Sequence, residues 1–250
     1  MIASSAVVLA LALSVSAGVT QRKRGGGQLV TSCTVPNTAA LTFDDGPYMY
    51  MTEIVDMLKA NDAKGTFFVN GHNWGCIWEE TNMQNIRYAR DNGMQIASHT
   101  WHHKDLNTLT LDQLRSEMSS TNDAICKILG TKPAFMRPPF GNYNDDVLSV
   151  VGEMHQTAVT WNLDSGDSMG AEVSAQNQAC DDVIAQHPQG IISLQHEVYE
   201  PSVHQVLPSY ISKMKEAGYK LVTVAECLGM EPYFDGECPV SKRGDDSYAC

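Results

Sequence analysis

The chain has 250 residues and a formal net charge of −12, from 17 Lys and Arg against 29 Asp and Glu, with 43% hydrophobic and 18% charged residues. That length suits one large domain or two small ones, and the composition is that of an ordinary globular protein. So acidic a chain is a poor partner for nucleic acid; the charge fits solubility alone, or a neutral or cationic polymer.

Residues 2–17 are small and apolar and close on Val15-Ser16-Ala17. Residues 1–17 therefore read as a signal peptide, and the expected destination is outside the cell or in its wall. No Lys or Arg precedes Arg22, so a buried N-terminal helix is the competing reading. The apolar run is short for a membrane span, no later stretch qualifies, and no membrane partner is expected. Residues 18–32 read as a pro- or linker segment. Within it Arg22-Lys23-Arg24 is either a processing site or a solvated run, and Gly25 to Ser32 has linker composition.

From Ala39 onward strand and helix patterns alternate. Strands are expected at 39–43, 66–69, 95–98, 134–136, 157–161, 191–194 and 220–224. Between them fall helices at 51–61, 82–92, 110–129, and near 145–152, 175–186 and 203–217. The longest has Leu111, Leu114, Met118, Ile125 and Ile128 at helical spacing and Gly130 as its stop. Seven strands alternating with helices predict a parallel sheet; closed on itself it is a distorted (β/α)7 barrel, one unit short of eight, in a single domain over 33–229. An open doubly wound sheet is the alternative, without a phosphate-type glycine fingerprint to support it. Residues 230–250 read as a polar tail. Seven cysteines (33, 76, 126, 180, 227, 238 and 250) fit an oxidising compartment, none at C-x-x-C spacing.

Chemistry concentrates just past the strand ends. Thr42-Phe43-Asp44-Asp45-Gly46-Pro47 ends the first strand and His99-Thr100-Trp101-His102-His103 follows the third. In a regular strand Asp44 and Asp45 point to opposite faces, but Gly46-Pro47 breaks the strand, so both can turn into one mouth. One carboxylate with the i, i+4 imidazoles of His99 and His103 makes a metal set with an open position for water; the other carboxylate is a candidate general base. A solvated D-D-G-P turn is the bland alternative, and His102 reads as a bystander. Arg137, in Met136-Arg137-Pro138-Pro139-Phe140, can hold a carboxylate by a forked pair of hydrogen bonds. Asp164 or Asp167, in Trp161-Asn162-Leu163-Asp164-Ser165-Gly166-Asp167, can orient an imidazole. His196, after Leu194-Gln195, is the candidate general acid. Trp74 and Trp78 stack on sugars if exposed and belong to the core if buried.

These five motifs, in this order, closely resemble those of the polysaccharide deacetylases (carbohydrate esterase family four, the NodB-homology domain), over roughly Cys33 to Gly229. Phe67-Phe68-Val69-Asn70-Gly71, Asp105-Leu106-Asn107-Thr108-Leu109 and Thr223-Val224-Ala225-Glu226-Cys227-Leu228-Gly229 resemble the fungal chitin deacetylases in particular. The resemblance implies Asp44 as general base, Asp45, His99 and His103 as ligands to zinc or another divalent ion such as cobalt, and Arg137 as a brace for Asp44. It implies the Phe140 amide as an oxyanion donor and His196 as general acid tuned by Asp164, with Asp167 the second choice. Trp74, Trp78 and Tyr48 are the expected substrate contacts. The implied reaction is removal of acetate from N-acetylglucosamine units of chitin or its oligomers by a monomer. Rivals are acetyl-xylan or peptidoglycan as substrate, a glycosidase, and a non-catalytic chitin-binding protein. The resemblance also implies a Cys33–Cys227 disulfide; Cys238–Cys250 is a second expectation. Ser168 departs from the pattern, since relatives often have an aromatic there.

Overall fold

Strand parity explains both the sheet and the position of the site. The computed structural model describes residues 27–234, Cys238 and Cys250. The signal-peptide reading of 1–17 and the basic run at 22–24 lie outside the described residues. The strands are β1 (Gln28–Val30), β2 (Thr38–Asp44), β3 (Gly65–Val69), β4 (Gln95–Ser98), β5 (Lys132–Pro133), β6 (Phe135–Met136), β7 (Thr157–Val159), β8 (Leu163–Asp164), β9 (Gly190–His196), β10 (Lys220–Leu221) and β11 (Tyr233–Phe234). The helices are α1 (Met51–Ala60), α2 (Glu80–Asp91), α3 (Leu111–Leu129), α4 (Asp145–Glu153), α5 (Val173–Ala185), α6 (Leu207–Glu216) and α7 (Val224–Leu228).

The main sheet runs β1-β7-β6-β4-β3-β2-β9-β8, with β10 paired to the start of β2. Every ladder in it is parallel. This is the expected (β/α) barrel in distorted form. Among the described residues no ladder joins β8 to β1, so the curled sheet stays open there.

Successive strand residues face opposite ways. Ala39, Leu41 and Phe43 of β2, Phe67 and Val69 of β3, Ile96 of β4 and Ile191 of β9 pack outward against Ile54 and Leu58 of α1, Ile86 of α2 and Tyr210 of α6. The alternate residues Ala40, Phe68, Ala97, Phe135 and Ile192 form a second, inner core. Each side chain such as Phe67 or Phe68, fully buried, contributes about 1.5–3 kcal/mol. Counting by twos along the inner face leads from Ala40 through Thr42 to Asp44, from Ala97 to His99, from Phe135 to Arg137, and from Ile192 to His196. The periodicity that builds the inner core therefore delivers four polar side chains to one end of the barrel.

Several short elements depart from expectation. Gln28–Val30, read as linker, is a strand paired to β7 from Gln28↔Thr157 to Val30↔Val159. Its three residues are too few to show alternation, yet Val30 is buried. Val224, expected to end the last strand, begins α7: Thr223 and Glu226 form a capping box that favours helix there, and β10 is two residues long. The expected tail is in part built into the domain, because β11 pairs antiparallel with β5 and Ile96 N–H donates to Tyr233 Oη at 2.9 Å.

Cys33 and Cys227 form the expected disulfide. The Cys238–Cys250 expectation is corrected: Cys126 bonds Cys238, and Cys76 bonds Cys250. Cys180 is free and buried in α5. The Cys33–Cys227 bridge closes a loop with a sequence separation of 194. The double substitution Cys33→Ser with Cys227→Ser is expected to lower unfolding free energy by about 2–5 kcal/mol in denaturant titration. A double variant as stable as the parent would show that the bridge is not formed.

Candidate active site

At the C-terminal end of the sheet, β2 and β9 run in register, with Asp44 opposite His196. Parity alone would turn Asp45 outward. Its backbone reverses this by adopting a left-handed φ of 73°, so the turn itself, as well as the Gly46-Pro47 break, brings both carboxylates inside. Gly46 is required here: a Cβ on it would lie 2.1 Å from Oε1 of Glu197. Glu197 is fully buried, and its Oε1 accepts the Tyr48 N–H at 2.6 Å. Burial, working against the Tyr48 amide and with the charges of Asp45 and Asp44, pushes the Glu197 carboxyl well above the usual carboxylate range.

Asp45, His99 and His103 offer one ligand atom each, all within 4.8 Å of one another. Asp45 Oδ1 lies 3.7 Å from His99 Nε2 and 3.4 Å from His103 Nε2. The His99 ring nitrogen Nδ1 is 2.8 Å from the Arg137 carbonyl. A carbonyl can only accept, so Nδ1 carries the proton and Nε2 presents a lone pair toward Asp45. Burial, and then the neighbouring His103, pushes this imidazole down to about 3, so it is neutral. A buried neutral imidazole, a second imidazole and a carboxylate with converging lone pairs fit a divalent metal of the zinc type.

Two asparagines that the sequence reading did not single out support the set. Asn73 Nδ2 donates to Asp45 Oδ1 at 3.2 Å and to Asn70 Oδ1 at 3.2 Å, and Asn70 Nδ2 donates to the Thr100 carbonyl at 3.0 Å. Asn70 continues the inner parity of Thr66 and Phe68, which is the signal that could have found it.

Arg137 is fully buried. The expected fork on Asp44 is a single arm: Nη1 donates to Asp44 Oδ1 at 2.8 Å and to Thr42 Oγ1 at 2.6 Å. Its Nε and Nη2 go to the Val159 and Thr160 carbonyls, each at 3.3 Å, and Phe68 stacks 4.2 Å from the guanidinium. Burial raises the Asp44 carboxyl above its usual range, against the pull of Arg137 and His196. The result is a carboxylate more basic than an exposed one and fixed in direction.

The partner of His196 is Asp167, and the expectation of Asp164 is corrected. Asp167 Oδ1 lies 2.7 Å from His196 Nδ1, and its Oδ2 accepts the His196 N–H at 2.8 Å and the Ser202 hydroxyl at 2.9 Å. Asp164 is exposed and accepts from Trp161 Nε1 and Gly166 N–H. The reason is local: β8 runs through Asp164, and the left-handed Gly166 (φ 73°) turns the chain so that the next residue points back under His196. Burial lowers the His196 pKa, but the Asp167 hydrogen bond and charge outweigh it, with Asp44 and Asp45 adding to them, and carry it up to about 9.

The rim is aromatic. Trp74 is 47% exposed and its ring lies 5.7 Å from Tyr48 and 6.0 Å from Tyr199, which in turn is 5.7 Å from His196. Phe140, 62% exposed, packs edge-on against His103 at 4.7 Å. The turn around Phe140 bonds through Gly141 and Asn142 N–H, leaving the Phe140 amide out of its ladder. Trp78, expected as a substrate contact, is half-buried and packs against the outer core, with Lys127 over its ring. Tyr199 was not anticipated, since a single Tyr three residues past a His carries no periodic signal.

A family model for polysaccharide deacetylases matches residues 31–159. A chitin deacetylase from Pestalotiopsis sp is 40% identical over 210 residues, covering 81% of this chain and 67% of the relative. A chitin deacetylase from Colletotrichum lindemuthianum is 35% identical over 237 residues, covering 91% of this chain and 94% of the relative. The solved structure of the chitin deacetylase from that fungal pathogen superposes with a TM-score of 0.78 at 33% identity, covering 84% of this chain and 96% of that one.

Proposed function

The chain belongs to the polysaccharide deacetylase family, and from that membership we propose that it is a secreted chitin deacetylase, a hydrolase that removes acetate from N-acetylglucosamine units of chitin or its oligomers. The single observation that carries the reading is the convergence of Asp45, His99 and His103 beside a buried carboxylate, Asp44, and across from the imidazole of His196, which is paired with Asp167. The relatives named chitin deacetylases, at 35–40% identity over most of the chain, supply the substrate.

Asp45, His99 and His103 would hold a divalent ion, zinc in our reading or cobalt in its place, and a metal bound there supplies Lewis acidity to the amide carbonyl and lowers the pKa of a water. Asp44, braced by Arg137, takes the proton of the attacking water. The Phe140 amide adds a hydrogen bond to the oxyanion. His196, held by Asp167, gives its proton to the leaving nitrogen, so that the amine departs neutral. Trp74, with Tyr48 and Tyr199, offers stacking faces for sugar rings. The glycosidase rival needs two carboxylates about 5–10 Å apart and flanking the bond; adjacent Asp44 and Asp45 do not meet that need. Three disulfides among the described residues fit an oxidising compartment. No helix among the described residues is long and apolar enough to cross a membrane. We take the working form to be a monomer.

Metal dependence tests this reading. Purified protein is expected to carry about one equivalent of a divalent ion, to lose acetate release on exhaustive chelation, and to regain it when zinc is returned. Full activity after chelation would contradict the ligand assignment. Acetyl-xylan and peptidoglycan fragments in the same assay are expected to release less acetate than chitin oligomers.

A further inference from the structure

The loop between β4 and the turn at Leu106 carries both imidazoles, and it contains two non-glycine residues in the left-handed region, Thr100 (φ 69°) and His103 (φ 54°). Such conformations cost on the order of 1–3 kcal/mol each and persist where surrounding contacts impose them. The two imidazoles are held differently. His99 is oriented through its ring, by the bond from Nδ1 to the Arg137 carbonyl. Among the described residues His103 Nδ1 has no protein partner, so the direction of its Nε2 depends on its backbone and on the flanking Phe140 and His99 rings.

That loop is held from α3 by one residue, Glu117. Its Oε2 accepts the His102 N–H at 2.8 Å. Its Oε1 accepts the Lys104 ammonium at 2.9 Å and lies 2.8 Å from His102 Nδ1. The Glu117 carbonyl also accepts the Trp101 N–H at 3.0 Å. The contacts fall on the Trp101 and His102 amides and the His102 ring before His103, and on the Lys104 side chain after it. The carboxylate is itself buried, with 6% of its side chain exposed. It occupies the buried stripe of α3 with Leu114, Met118, Thr121 and Ile125, where an unpaired charge would be costly. A carboxylate, acceptor-only and with two oxygens, can serve a backbone amide, a ring N–H and an ammonium at once. His102, read from sequence as a bystander, is one arm of this grip.

We propose that Glu117 is a positioning residue for the metal centre: by clamping both sides of His103 it aims that imidazole at Asp45, and so it sets metal affinity without touching metal or substrate. The proposal rests on the metal reading of Asp45, His99 and His103. It predicts a loss of affinity of the size found when a group behind a metal ligand is removed, about 10–100-fold.

The test is zinc affinity of the full chain, by competition with a chromophoric chelator, with unfolding of the metal-free protein followed in parallel. Glu117→Gln keeps the volume and one acceptor but loses the ion pair and one acceptor. It is expected to bind zinc roughly 10-fold or more weakly, and excess zinc should return its turnover most of the way to the parent value with KM unchanged. Lys104→Met, at a half-exposed side chain, guards against a Glu117 variant that fails to fold. It should weaken zinc binding in the same direction by less. Zinc binding by Glu117→Gln or Lys104→Met equal to that of a parent that does bind zinc overturns the clamp. So does a loss of affinity fully accounted for by lost stability of the metal-free form. A parent that binds no zinc overturns the metal reading itself, a different result.

Discussion

Asp44→Asn is expected to lower acetate release by roughly 10³-fold while the protein keeps its metal, and Asp45→Ala is expected to lose the metal and the activity together. The two neighbours differ in what their oxygens face. Asp45 Oδ1 lies between the two imidazole Nε2 atoms, so its removal takes away one of the three proposed ligands. Asp44 Oδ1 accepts from Arg137, and its Oδ2 lies 3.6 Å from His99 Nε2. Asn at this position still accepts the Arg137 bond and fills the same volume, but it cannot take a proton from water. Loss of a positioned general base costs on the order of 10²–10⁴-fold. The check is metal content and turnover on the same samples. Metal lost from Asp44→Asn would mean that the base and ligand roles are assigned the wrong way round.

Asp167→Asn is expected to lower turnover by about 10²-fold or more and to move the alkaline limb of the pH profile to lower pH, whereas Asp164→Asn should stay within a few-fold of the parent. In the proposed mechanism the working form of His196 is the imidazolium. A pKa raised to about 9 keeps that form through neutral pH and loses it as pH rises past that value. The same sign holds for stability: a raised folded pKa contributes stability that is full below the ordinary histidine value and is lost as pH rises through the folded one. Asn at 167 removes the charge and cannot serve His196 N–H, Nδ1–H and Ser202 as the carboxylate does. Burial then dominates and the imidazole deprotonates earlier. An activated acetate ester, whose leaving group needs little protonation, should lose less than chitin oligomers. Equal losses on both substrates, with an unmoved alkaline limb, would show that Asp167 does not act through His196.

What was legible in the sequence follows the strand period. Asp44, His99, Arg137 and His196 sit two or more residues past inner-core positions of apolar strands, and their motifs come in family order, so strand ends and site could be read together. Asp167 was not separable from Asp164, because which of the two reaches His196 is decided by the left-handed turn at Gly166. Glu117 left a faint signal, a carboxylate on the apolar stripe of α3, but its partners lie 13 to 16 residues earlier in a loop whose path has no period. β1 and β11, of three and two residues, are too short to alternate. The Cys76–Cys250 and Cys126–Cys238 pairings join residues with sequence separations of 174 and 112, and cysteine spacing does not encode such partners. The single arm of Arg137 on Asp44, in place of a fork, follows from the rival acceptors Thr42, Val159 and Thr160 that surround a buried guanidinium.

The central claim is that a metal held by Asp45, His99 and His103 serves to cleave an acetamide and not a glycosidic bond. Mass spectrometry of chitin oligomers of defined length, after incubation with zinc-loaded protein, tests it most directly. The expected result is a stepwise loss of acetyl groups from chains of unchanged length, absent from the chelated protein and from Asp44→Asn. Shortened chains that keep their acetyl groups, or intact oligomers from a protein shown to hold its zinc, would contradict it.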